Sequence, residues 1–173
     1  VTQAVSLYPL TEDHYFALHG RPTTAALIEN AREWLRRTNV LLDFAIEAGI
    51  ELAVDQLSGN HIASGHRPAG VNARTANAAV ASTHLTCEGG DIQDNLSRSL
   101  MIYLVANEEL LERIGMWMED PRWTAGTNRG DPWCHLQTKP PRSGNRIYIP
   151  SDKPAGDPHF YERAGLLIPS YLK

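Results

Sequence analysis

Three side chains of metal-ligating type stand out by their spacing. His84 and Asp91 lie in "ASTHLTCEGGDIQD" (81–94), and His135 lies in "PWCHLQT" (132–138). Two imidazoles and one carboxylate leave a fourth tetrahedral position for water. That is the open arrangement of a catalytic zinc site, whereas structural sites close the shell with four protein ligands. Zinc so held lowers the pKa of its bound water to roughly 7 and makes hydroxide available at neutral pH. Spacing alone selects weakly. A half-buried histidine bonded to backbone is the commoner outcome, and this donor set also accepts other divalent ions.

The elements that must position these groups are legible in part. From Thr24 to about Ala48, Leu27, Ala31, Trp34, Leu35, Leu41, Leu42, Ala45 and Ile46 recur at helical steps. They predict one long helix ended by Gly49, with Trp34 in its packing stripe. "IELAVDQL" (Ile50–Leu57) alternates and predicts a strand paired with "HIASGHRP" (His61–Pro68) across a Ser-Gly-Asn turn. "GVNARTANAAVAS" reads as a short helix, and "GGDIQD" as a strand carrying Asp91. "NLSRSLMIYLVANEELLERIG" is helical with a break near Asn107. "MWMED" and "PWCHLQT" read as strands, and "RSGNRIYIPS" as a turn and a last short strand. Residues 1–22 and the tail after Pro154 read as irregular. Helices and strands without regular alternation predict a single α+β domain with a small, largely antiparallel sheet flanked by helices.

Taken together, "SGHRPAGVN", "STHLTCEGGDI" and "WCHLQ" resemble the M15 family of zinc D,D-peptidases and related endolysins. That family shows Ser-Gly-aromatic-Arg, then Ser-x-His-x-x-Gly-x-Ala-x-Asp, then a strand with Trp before His. Ser82, His84 and Asp91 sit at family positions, Arg67 matches the arginine, Asn72 an asparagine common after it, and His135 the third zinc ligand. The likeness runs from about Ile62 to Pro150, and "HLQTKPPRSGNRIYIP" looks most like the phage and prophage branch. The resemblance implies a hedgehog/D,D-peptidase-like fold, a zinc ion on His84, Asp91 and His135, and peptidoglycan stem peptides as substrate. It also implies action on the bacterial cell wall, in the periplasm or delivered by phage, by a chain expected to be monomeric.

The chain departs from the pattern in places. Cys87 stands where the family has glycine, Gly89 where it has alanine, and His66 where it has tyrosine. The general base usually lies three residues before the third ligand, which is Pro132 here. Two acids compete for that role. Asp131 is four residues before His135 and shares its face on a regular strand. Glu119 qualifies if "MWME" pairs with the His135 strand. Turn and strand-end acids of both kinds are also common without a function. The base would take a proton from water and pass it to the leaving amine. Arg67 would hold an oxyanion or a substrate carboxylate; a surface ion pair is its ordinary alternative. Ser82, two residues before His84 on an extended segment, would touch the site or orient a ligand. Gly89 and Gly90 would let the backbone pass close to metal or substrate. His66 could line the cleft, while His14, His19, His61 and His159 read as surface or loop residues.

Bulk composition narrows the classes. The chain has 173 residues, 42% apolar and 21% charged, with a net charge of −4. That suits one domain with a real core. The basic residues are scattered, which argues against a nucleic-acid surface. No apolar run approaches a membrane span. The first residues show no signal-peptide pattern, but the chain starts at Val1, so export stays open. The two cysteines, Cys87 and Cys134, are too few for a disulfide scaffold or a cysteine zinc finger. They read as buried thiols, with a disulfide conceivable in an oxidising setting. A second function class is a non-catalytic, zinc-containing wall-binding or virion protein. A third, a cysteine hydrolase, lacks a recognised Cys-His signature.

Overall fold

The computed structural model describes residues 7–76, 78–124, 132–150, 159–165, 167–170 and 173. Its frame is the long helix α2 (Ala25–Glu47), preceded by the short α1 (Glu12–Tyr15). Ala31, Trp34, Leu35, Leu41, Leu42 and Ala45 form its buried stripe. Gly49, at φ +85°, ends α2 in the left-handed conformation that glycine adopts most readily.

Next come β1 (Ile62–Ser64), α3 (Ala69–Asn72), β2 (Gly89–Gln93), α4 (Ser99–Ala106), α5 (Glu108–Ile114) and β3 (Trp117–Glu119). They are followed by α6 (Pro121–Thr124), β4 (Trp133–Gln137), β5 (Ile147–Tyr148) and α7 (Phe160–Ala164). The expected break at Asn107 separates α4 from α5. Among the described residues five strands form one mixed sheet in the order β1-β2-β4-β3-β5. The first three neighbour pairs are antiparallel and β3–β5 is parallel. The expected α+β class and largely antiparallel sheet are thus present.

One expected strand is absent. Residues 50–57 form no strand. The Asp55 carboxylate instead accepts from the backbone N–H of Leu57 (3.0 Å) and Ser58 (2.7 Å). This closes a tight turn, the local competition that short polar side chains offer to a ladder. β1 therefore pairs with β2, and a bulge between Ile62 and Ser64 brings Ser64 opposite Asp91. Two short helices, α1 and α7, also occupy segments that read as irregular.

The sheet has two unlike faces, as a period of two requires. Ile92, Cys134, Leu136, Met118 and Ile147 belong to the apolar core with α2 and α4. The residues that alternate with them include the polar groups Asp91 on β2, His135 and Gln137 on β4, Glu119 on β3 and Tyr148 on β5. Trp34 is fully buried, and its indole N–H donates to the Leu136 carbonyl at 2.8 Å, tying α2 to β4. Among the described residues no helix is long and apolar enough to cross a membrane.

Candidate metal centre

β2 and β4 pair so that Asp91 stands directly opposite His135. The His135 Nδ1 to Asp91 Oδ1 distance is 2.7 Å. His84 arrives from the turn before β2, with its Nε2 3.4 Å from Asp91 Oδ2. The two imidazole centroids are 5.0 Å apart. One ligand-type atom from each of the three residues lies within 4.8 Å of the others, and all three residues are buried.

The donor set fits a metal ion because each ring has its second nitrogen occupied elsewhere. His84 Nδ1 lies 2.7 Å from the Gly65 carbonyl oxygen, which can only accept. His84 therefore carries its proton on Nδ1 and turns the Nε2 lone pair inward. His135 Nε2 lies 3.2 Å from Thr83 Oγ1, leaving Nδ1 on the inner side. Oxygen partners behind ligating histidines are the usual way their rings are oriented. Inside the cluster, burial opposes the Asp91 charge, but the two imidazoles outweigh it and hold the carboxyl well below its ordinary pKa. Burial lowers the pKa of His84, which Asp91 offsets only in part. Burial also opposes a charge on His135, yet its bond to Asp91 and that residue's charge carry its pKa upward.

Arg67 stands beside the cluster. Its backbone N–H donates to the His84 carbonyl at 3.1 Å. Its guanidinium reaches Ser64 Oγ at 3.2 Å, Asn72 Oδ1 at 3.4 Å and Asp91 Oδ2 at 4.0 Å. Asn72 is itself anchored on the Ala79 carbonyl at 3.0 Å. The pairing expected to favour Glu119 is present: Met118 is opposite Leu136, so continuing the register sets Glu119 beside His135. The Glu119 charge contributes to the raised pKa of His135. Asp131 lies outside the described residues.

Ser82 is placed differently from the extended segment expected of it. Its Oγ accepts from the His84 backbone N–H at 3.3 Å, within a turn. It shapes the loop that carries His84. His66 is 7% exposed, packs edge-on against Phe16 and contacts the Gly20 carbonyl at 3.3 Å, a packing position. Both cysteines are free and buried. Burial raises the Cys87 thiol to about 11, against a partly offsetting bond from Tyr15. Cys134 contacts Asp94 on the apolar side of the sheet, away from the three ligands as expected.

The sequence reading missed Thr83, Gln137 and Tyr148, and gave no role to Ser64, the serine of the Ser-Gly-aromatic-Arg motif. Tyr148 donates to Gln137 Oε1 at 2.6 Å, and burial raises its phenol well above the ordinary pKa, so it keeps its proton. Gln137 was findable, since it is two residues after His135 on the same strand. Thr83 was not, because only the turn geometry brings it to His135. No family model, curated protein or solved structure matches this chain.

Proposed function

We propose that this chain is a zinc-dependent peptidase cleaving peptide bonds in peptidoglycan stem peptides, as a D,D-carboxypeptidase or an endopeptidase of endolysin type. The observation that carries the reading is the convergence of His84 Nε2, the Asp91 carboxylate and His135 on one point. The motif resemblance supplies the substrate class and the hedgehog/D,D-peptidase-like fold. A local detail supports it: Cys87, at the position of a family glycine, has φ +57°, a conformation that glycine adopts most readily. The site of action in this reading is the bacterial cell wall, in the periplasm or by phage delivery.

Zinc bound there would polarise the scissile carbonyl and provide hydroxide at neutral pH. His84, Asp91 and His135 would hold it. Glu119, beside His135 across the β3–β4 register, is the base in this reading; it takes the water proton and delivers it to the leaving amine. Arg67, held by Ser64 and Asn72, offers a permanent positive charge to the tetrahedral oxyanion or to a substrate carboxylate.

The test is zinc content by mass spectrometry with murein digestion on the same samples, for native protein, His84→Ala and Glu119→Gln. About one zinc per chain is expected, lost together with digestion in His84→Ala. Glu119→Gln should keep its zinc and lose roughly 10²–10⁴-fold in rate. Native-like digestion by Glu119→Gln would move the base to Asp131, to be tested as Asp131→Asn. Zinc without digestion in native protein would favour a wall-binding protein. No zinc in native protein purified without chelator would sink the proposal.

A further inference from the structure

We propose that Thr83, backed by Gln137 and Tyr148, is a positioning residue that decides which nitrogen of His135 keeps its proton and so presents Nδ1 as the metal ligand. The inference rests on the metal reading of His84, Asp91 and His135.

The argument starts from an atom that can only accept. The Lys139 carbonyl receives Gln137 Nε2 at 2.5 Å, which fixes the orientation of the amide. Gln137 Oε1 therefore points back toward the site as an acceptor. The Tyr148 hydroxyl donates to it at 2.6 Å. The Thr83 hydroxyl lies 3.5 Å from the same oxygen and 3.2 Å from His135 Nε2. A hydroxyl has one proton to give. Directed at Gln137, it leaves Thr83 Oγ1 free only to accept from the ring. Nε2 must then carry a hydrogen whether or not an ion is bound. On Nδ1, 2.7 Å from the acceptor-only Asp91 carboxylate, an ion would take the place of the hydrogen that the carboxylate otherwise accepts. The opposite polarity would leave the Nδ1 hydrogen as the only one on the ring, and an ion on Nδ1 would have to displace it.

A second observation shows that the backbone makes room for this contact. A Cβ on Gly89 would lie 2.1 Å from Thr83 Oγ1 and 3.2 Å from His135 Cε1. Only glycine lets the hydroxyl sit between strand and ring. His84 reaches the same end by a shorter route, its Nδ1 resting directly on a backbone carbonyl. The two histidines thus offer opposite ring nitrogens to one point.

Imidazole ¹H–¹⁵N correlation spectra of native protein, metal-free and zinc-loaded, read the His135 nitrogens directly. Competition with a chromophoric chelator gives zinc affinity for native protein, Thr83→Val and Thr83→Ser. Native Nε2 should be of N–H type in both states, with Nδ1 the zinc-bound nitrogen. Thr83→Val should weaken zinc about 10–100-fold, the usual cost of losing a partner behind a ligand, and Thr83→Ser should restore most of it. A native Nε2 without hydrogen, or native affinity in a folded Thr83→Val, would overturn the inference. If Thr83→Val does not fold, the native spectra and Thr83→Ser still decide it. If native protein binds no zinc, the metal reading fails, while the metal-free Nε2 signal still reports on the polarity set by Thr83.

Discussion

Gly89 and Gly90 are neighbours on β2 and face opposite ways, and each clears space for a different purpose. A Cβ on Gly90 would lie 2.7 Å from the Trp34 ring, so this glycine seats the indole against the sheet. Gly89 clears space for the Thr83 hydroxyl beside His135. Asp91 and Asp94 repeat the contrast. Imidazoles hold Asp91 ionised despite its burial. Asp94 sits on the core side, where burial raises its pKa although it accepts the Leu100 and Met101 N–H groups at 3.1 and 2.9 Å. There it caps α4, whose own N-cap, Arg98, has φ +56° and makes no side-chain cap bond. One face of the sheet gathers polar groups at the candidate metal centre, and on the other Asp94 holds elements together.

The largest effect should come from the core side. Trp34→Ala removes a fully buried indole and its bond to Leu136. A loss of about 3–5 kcal/mol is expected, measured by urea unfolding, with zinc stoichiometry retained in the folded fraction. Loss of zinc from folded Trp34→Ala would break the separation of the two faces. The adjacent glycines sharpen it. Gly90→Ala should cost about 1–3 kcal/mol through overpacking and leave zinc affinity close to native. Gly89→Ala should weaken zinc more than it lowers the melting temperature. Equal effects of the two variants on zinc would remove the distinction.

The smallest effect is a pH slope. The Asp94 carboxyl has a raised pKa in the folded chain, so the folded state holds its proton more readily than the unfolded state. That contribution is complete below the ordinary carboxylate pKa, near about 4, and is lost as pH rises through the folded value. Asp91 has the opposite sign: its contribution is present above the ordinary value and is lost as pH falls through its depressed pKa. Asp94→Asn should therefore remove a downward slope of stability with rising pH above about 4, while leaving the acid-side loss in place. Unfolding free energies across that range check it. An unchanged slope would show that Asp94 does not titrate as its burial implies.

Much of the frame was legible because its signals are local. The α2 stripe, Gly49, the Asn107 break and strands β2 to β5 follow from helical or alternating periodicity. The false strand at residues 50–57 alternates equally well, but Asp55 bonds within its own turn. Ser82 was misplaced for the same kind of reason, because a turn stands where extended chain was expected.

The sequence by itself determined the residue types of the site, which strand positions share a face, and where α2 presents its indole. A period of two goes that far and no further, since it does not name the partner strand or the register. Only the tertiary structure set Asp91 opposite His135, placed Glu119 beside that histidine and brought Thr83 to its ring. Those contacts join residues distant in the chain, and they exist only once the ladder is paired and the His84 turn is closed.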